Sequence, residues 1–142
     1  LANDCENIVA VKEASGDMEQ MKDVIAKRPE GFSVLSGDDG VAFELIKNGG
    51  NGVISVASNV IPKEMSEMVS LALSGNMDEA EKKNAELAEL FEKEFIETNP
   101  IPIKAMLAMK GMIKEVYRLP ICEMDAKNRK IVEELVQKMN LI

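Results

Sequence analysis

The sequence predicts an α/β fold: the C-terminal part of a (β/α)8 barrel, three strand–helix units long, followed by a helical extension. Three observations carry this. Apolar runs restart at Ile8, Phe32 and Gly52, each followed by a helical pattern, and a restart about every 20–25 residues is the spacing of βαβ units in a parallel sheet. The composition shifts near Met77, beyond which the patterns are helical and broken by Pro. Finally, 142 residues are enough for one domain with a core. Yet three parallel strands do not make a stable sheet covered on both faces, and a closed barrel takes ~250 residues. The expected division is residues 1–76 for the last three barrel units and 77–142 for the extension.

Taken in order, Ile8-Val9-Ala10-Val11 is an unbroken apolar run closing on Lys12, the pattern of a strand buried on both faces. Ser15-Gly16-Asp17 turns the chain. Asp17 is an N-cap with Gln20 three residues on, and Met18, Met21, Val24 and Ile25 share one helical face. Pro29-Glu30-Gly31 stops that helix. Phe32 to Leu35 is the second strand, ending in Ser36-Gly37-Asp38-Asp39-Gly40, and Val41 to Lys47 make a short helix. The third strand runs from Gly52 to Ala57, and Pro62 sits in the first turn of a helix striped by Met65, Met68, Val69, Leu71 and Ala72.

In the remainder, Asp78 to Phe95 is a long charged helix whose narrow apolar stripe is Ala80, Leu87, Leu90, Phe91 and Phe95. Thr98-Asn99-Pro100-Ile101-Pro102 breaks it, since two prolines at this spacing do not sit inside a helix. Ile103 to Val116 is a Met-rich apolar helix interrupted by Gly111. Tyr117 to Glu123 is extended, and Asp125 caps a last helix with Ile131, Val132, Leu135, Val136 and Met139 inward.

Charge and composition exclude several classes. A net charge of −8 argues against a nucleic-acid backbone or an anionic membrane surface as partner. No apolar run is long enough to span a bilayer, and a cytoplasmic location is expected. Cys5 and Cys122 lack any framework around them and read as two reduced thiols. With no histidine, His-based acid/base work and nearly all zinc sites are removed. Catalysis would have to run on Lys, Asp/Glu, Ser, Tyr or an external cofactor. The chain begins at Leu1 rather than Met, which is expected of a processed, truncated or excised piece.

Lys12 stands at the C-terminal end of the opening strand, the end where α/β folds place chemistry. An amine in an apolar strand neighbourhood is pushed toward its neutral, nucleophilic form by desolvation; a lysine snorkelling to solvent fits the same pattern. Asp38 and Asp39 are adjacent acids at a strand end, and neighbours on a strand point oppositely, so helix capping by Asp39 is the expected role rather than a catalytic pair. Glu13 reads either as a partner of Lys12 or as a strand-end charge.

Four motifs carry a resemblance: Val11-Lys12-Glu13-Ala14-Ser15-Gly16, Ser36-Gly37-Asp38-Asp39, Gly49-Gly50-Asn51-Gly52-Val53-Ile54-Ser55-Val56 with Asn59-Val60, and Asn99-Pro100-Ile101-Pro102-Ile103-Lys104. In order and spacing they resemble the dihydrodipicolinate synthase family over essentially the whole chain. The resemblance implies a (β/α)8 barrel with a three-helix extension, assembled as a homotetramer, in which Lys12 ends strand six, Gly37 ends strand seven and Ile54 lies on strand eight. It implies a Schiff-base synthase of lysine and diaminopimelate biosynthesis that condenses pyruvate with aspartate semialdehyde, without metal or organic cofactor. Lys12 would be the Schiff-base lysine. Ile54 would contact pyruvate, chiefly through its backbone, although it also reads as a core isoleucine. Gly37 would let substrate approach near the lysine, although it also reads as a turn glycine.

The family's proton-relay tyrosine, its substrate-carboxylate hydroxyls and its arginine for the second substrate have no counterpart in these 142 residues. Tyr117, the one tyrosine, does not match the relay position. The chain alone is therefore expected to be nearly inactive and to need the N-terminal half of the barrel as its partner. The competing readings are a non-catalytic α/β assembly or binding module, or a related keto-acid aldolase such as a sialic-acid lyase.

Overall fold

A computed structural model describes residues 1–142. Its elements are β1 (Ala10–Glu13), α1 (Met18–Lys27), β2 (Ser33–Ser36), α2 (Asp39–Lys47), β3 (Gly52–Val53), a 3-10 turn (Ala57–Asn59), α3 (Pro62–Leu73), α4 (Met77–Lys93), α5 (Ile101–Met109) and α6 (Ala126–Lys138). The three strands form one parallel sheet in the order β1-β2-β3. Between successive strands a helix, α1 and then α2, returns the chain to the same end of the sheet, as parallel pairing requires. The fold is thus three parallel strand–helix units followed by helices.

Local chemistry explains most boundaries. The Asp17 carboxylate accepts from the amides of Glu19 and Gln20 at the start of α1, and that of Asp125 accepts from Lys127 at the start of α6. These bonds satisfy orphan donors of a first helical turn. The side chain of Gln20 does not complete a capping box; its Nε2 donates to Glu13 Oε1 at 2.9 Å.

Three elements differ from expectation. The opening strand is not buried on both faces: β1 is an edge strand, Val9 just before it is 64% exposed and Lys12 is exposed. Only β2 pairs with β1, and helices cover only one face of the sheet. The third strand stops at Val53 rather than Ala57. Past Ile54, side chains outcompete the ladder for backbone amides: Asp39 Oδ2 takes those of Val56 and Ala57, at 2.7 and 3.0 Å, and Ser55 Oγ takes that of Ser58 at 2.8 Å. Helix α5 begins at Ile101 with Pro102 in its first turn, where no amide is needed. It ends at Met109 instead of continuing to Val116. Gly111 adopts φ +70°, and Met112 N reaches back to Leu107 O at 3.0 Å, a Schellman-type stop.

The core has two parts. A small cluster of Met21, Val34 and Leu45 joins α1 and α2 to the covered face of the sheet. The larger cluster crosses the position where composition changes, bringing Phe43 and Ile46 of α2 and Met65 and Met68 of α3 together with Leu90, Ile103, Met106 and Val132 of the later helices. A fully buried side chain such as Leu90 contributes about 1.5–3 kcal/mol through burial. Phe95, expected in the apolar stripe of α4, is 44% exposed, and Glu94 is buried in its place. No helix is long and apolar enough to cross a membrane.

Candidate functional site

The parallel register sets Lys12 opposite Leu35 and Leu35 opposite Gly52. Side chains alternate along a strand, so Lys12 and Ala14 share a face with Leu35 and Gly37. The ladder carries on past the strands: Gly37 N donates to Glu13 O at 2.6 Å and Ile54 N to Ser36 O at 2.8 Å. By the same alternation Ile54 joins that face. The opposite face carries Val11 and Val34, which pack on α1 and α2. Lys12, Gly37 and Ile54 therefore gather at the C-terminal ends of three neighbouring strands, on the face that no helix of this chain covers.

Each of the three has a defined local setting. Lys12 is exposed, so the apolar enclosure expected around its amine is not supplied by this chain. Gly37 lies directly against it: a Cβ at Gly37 would stand 2.5 Å from Ala14 Cβ and 2.9 Å from Lys12 Cε. Contacts under 3 Å force something to shift, so the glycine is required here by close approach. Ile54 is 47% exposed, not a core residue. Its amide belongs to the ladder, and no hydrogen bond within the chain reaches its carbonyl. We expect Gly37→Ala to cost about 1–3 kcal/mol in a urea melt and to displace the Lys12 side chain, read as a changed rate of modification of Lys12 by an amine reagent.

Neighbouring acids play structural parts. The Glu13 carboxylate is buried and bonded to Ser15 N at 3.2 Å and Gln20 Nε2 at 2.9 Å, so its partners are not Lys12. Asp38, not Asp39, caps α2, its Oδ1 accepting from Gly40 N at 2.8 Å. Asp39 is the first residue of that helix and points inward, fully buried, to hold Val56 and Ala57. The turn so held also receives Lys110 from the end of α5, whose ammonium donates to Val60 O at 2.7 Å. Asp39 and Lys110 thus anchor the segment following Ile54 from two sides.

Tyr117 lies away from this edge, in the segment between α5 and α6. Its hydroxyl donates to Glu115 at 3.0 Å, and the Lys104 ammonium stands 5.1 Å from its ring centroid. Burial, reinforced by Glu115, pushes the phenol up to about 12. An open cleft of about 370 Å³ runs between β3 and α3, lined by Leu35, Gly52, Val53, Met65 and Val69 among others. Lys12, Gly37 and Ile54 do not line it. No cluster of three or more His, Cys, Asp or Glu side chains is placed to hold a metal ion.

The model of the dihydrodipicolinate synthetase family matches residues 1–139. The chain belongs to this family. It is 45% identical over 142 residues to the 4-hydroxy-tetrahydrodipicolinate synthase of Prosthecochloris aestuarii, an alignment covering 100% of this chain and 48% of that relative. It superposes on the crystal structure of dihydrodipicolinate synthase from Aquifex aeolicus with TM-score 0.97 at 43% identity, covering 99% of this chain and 48% of the other. A dihydrodipicolinate synthase from Acinetobacter baumannii, crystallised in complex with pyruvate, matches with TM-score 0.92 at 35% identity, covering 96% and 47%. The chain thus spans about half the length of the relatives it matches. Family membership fixes the three strand–helix units as part of a (β/α)8 barrel, whose functional end is the one where Lys12, Gly37 and Ile54 meet.

The anchoring of the Ile54 segment is the feature that motif reading did not supply. Asp39 touches a stretch 17 and 18 residues further on, a pairing invisible to local spacing.

Proposed function

We propose that this chain is the C-terminal part of a Schiff-base synthase that condenses pyruvate with aspartate semialdehyde in lysine and diaminopimelate biosynthesis, with Lys12 as nucleophile. One observation carries the reading: in a dihydrodipicolinate synthetase chain, the lysine at the open end of β1 lies against Gly37, on the same sheet face as Ile54 two strands away, whose carbonyl is free. The pyruvate complex of the Acinetobacter baumannii relative supports pyruvate as the first substrate.

In this reading the neutral Lys12 amine adds to the keto carbon of pyruvate, and loss of water leaves an iminium. The iminium withdraws electrons, a methyl proton leaves, and the resulting enamine attacks the aldehyde of aspartate semialdehyde. Ring closure by the amino group of that substrate expels Lys12 and regenerates the free amine. The covalent iminium is the electron sink, so no separate cofactor enters. Gly37 leaves room beside the lysine, and the Ile54 backbone, its carbonyl free, contacts the pyruvate-derived group, where it can accept from the hydroxyl formed when Lys12 adds. Residues 1–76 serve as barrel units and 77–142 as the extension, in a cytoplasmic homo-oligomer.

Iminium formation also needs a positioned acid and base. Tyr117 is engaged with Glu115 and Lys104 in the extension, so the proton relay is proposed to come from an N-terminal half of the barrel. That half would also cover the open face and enclose Lys12. The test is a synthase assay of this chain alone, of the N-terminal half of a relative alone, and of the two refolded together. Turnover in the mixture exceeding the sum of the parts by about 10²–10⁴-fold, the usual contribution of acid/base groups, is expected. A mixture no more active than the sum contradicts the proposal.

A further inference from the structure

Three carboxyl oxygens lie buried together without a hydrogen-bond partner: Oδ1 of Asp39 and both Oε atoms of Glu94. Both residues are 0% exposed. Asp39 begins α2 and Glu94 closes α4, and these two helices pack against each other. An ionised carboxylate only accepts hydrogen bonds, so two of them facing in a dry site repel and satisfy nothing. A single shared proton answers both deficits, because a neutral carboxyl is also a donor.

No cation offers an alternative. The charges acting on Glu94 are Asp39 and, more weakly, Asp38, both acidic. On α2, Glu44 and Lys47 face each other at 3.7 Å. On α3, Glu67 is met by Lys63 and by Lys83, and Glu64 acts on Lys83. On α4, Lys93 is paired with Glu92, and Glu89 with Lys138 of α6, while Lys110 at the end of α5 donates to Val60 O and is not among the charges acting on Glu94.

We propose that Glu94 is a positioning residue: as a neutral carboxylic acid it donates to Asp39 Oδ1, and so holds Asp39 Oδ2 against the Val56 and Ala57 amides that shape the segment following Ile54. A proton buried on the helical extension thereby sets the geometry at the open ends of the strands. This does not depend on what Lys12 does. Burial first, then Asp39, push Glu94 up to about 9 from the ordinary 4.5. The folded chain then keeps a proton that the unfolded chain has lost. The pair's stability is complete below about 4.5 and declines as pH rises toward about 9.

The experiment is an NMR titration of the whole chain with 13C-labelled glutamate carboxyls and 15N-labelled backbone. One glutamate, assigned to Glu94, is expected to titrate near 9 while the Val56 and Ala57 amide signals move with the same midpoint. Glu94→Gln keeps a donor as an amide. It should abolish both titrations, leave the two amides at their low-pH positions and flatten the fall of the unfolding midpoint with pH. Glu94→Leu should shift the two amides at every pH. If Glu94 titrates with the other glutamates, or if the Val56 and Ala57 amides ignore its titration, the proposal is wrong. The wild-type titration decides this even should either variant fail to fold.

Discussion

With Lys12 as the proposed nucleophile, replacing it by arginine is expected to abolish synthase turnover of the completed barrel, a loss on the order of 10⁴-fold or more. The substitution keeps the charge and roughly the length, but a guanidinium is effectively always protonated and cannot add to a ketone. In a urea melt of this chain by itself, stability should hardly move. Lys12 is exposed on an uncovered face, and surface changes away from special features usually stay within about 0.5 kcal/mol. Turnover with pyruvate and aspartate semialdehyde, set beside a urea melt, separates the two effects. Equal damage to both would assign Lys12 a structural part instead.

Asp39→Ala has the opposite signature, a folding cost of about 2–6 kcal/mol. The Val56 and Ala57 amides lose their acceptor in a part-buried to buried setting, and each stranded donor costs about 1–3 kcal/mol. Against a total stability of about 5–15 kcal/mol, that shifts the urea midpoint visibly with an unchanged slope. Asp39→Asn should lose less, because one oxygen remains for the two amides and the new NH2 faces Glu94. If alanine costs no more than asparagine, the two amide bonds carry little of the fold.

The strand–helix alternation was legible in the sequence because apolar period and punctuation agree in each unit. The caps at Asp17 and Asp125 were legible because each stands alone before its helix. Asp38 and Asp39 show where local rules fail: both are good cap residues, and only the tertiary contact with Val56 and Ala57 decides that Asp39 turns inward. The same contact shortens β3, although Gly52 to Ala57 reads as one strand. The burial of β1 was overestimated because an apolar run says what a strand is suited to, not how many neighbours it has.

For the site, Lys12 was visible as a cation at a strand end, and the motif order singled it out. The need for glycine at position 37 emerges only when β1 and β2 are side by side. Glu94 carried a signal that its charge concealed. It follows Leu87, Leu90 and Phe91 at the spacing of the buried face, so periodicity pointed inward while residue type pointed to solvent. Phe95, one residue on, took its place in the expected stripe for the same reason.

The central claim is that Lys12 is the nucleophile, and trapping tests it most directly. The chain, completed by an N-terminal half, is incubated with pyruvate, reduced with borohydride, digested and mapped by mass spectrometry. One reduced pyruvate adduct on the peptide containing Lys12, absent from Lys12→Arg, is the predicted result. No adduct, or an adduct on another lysine, would contradict it.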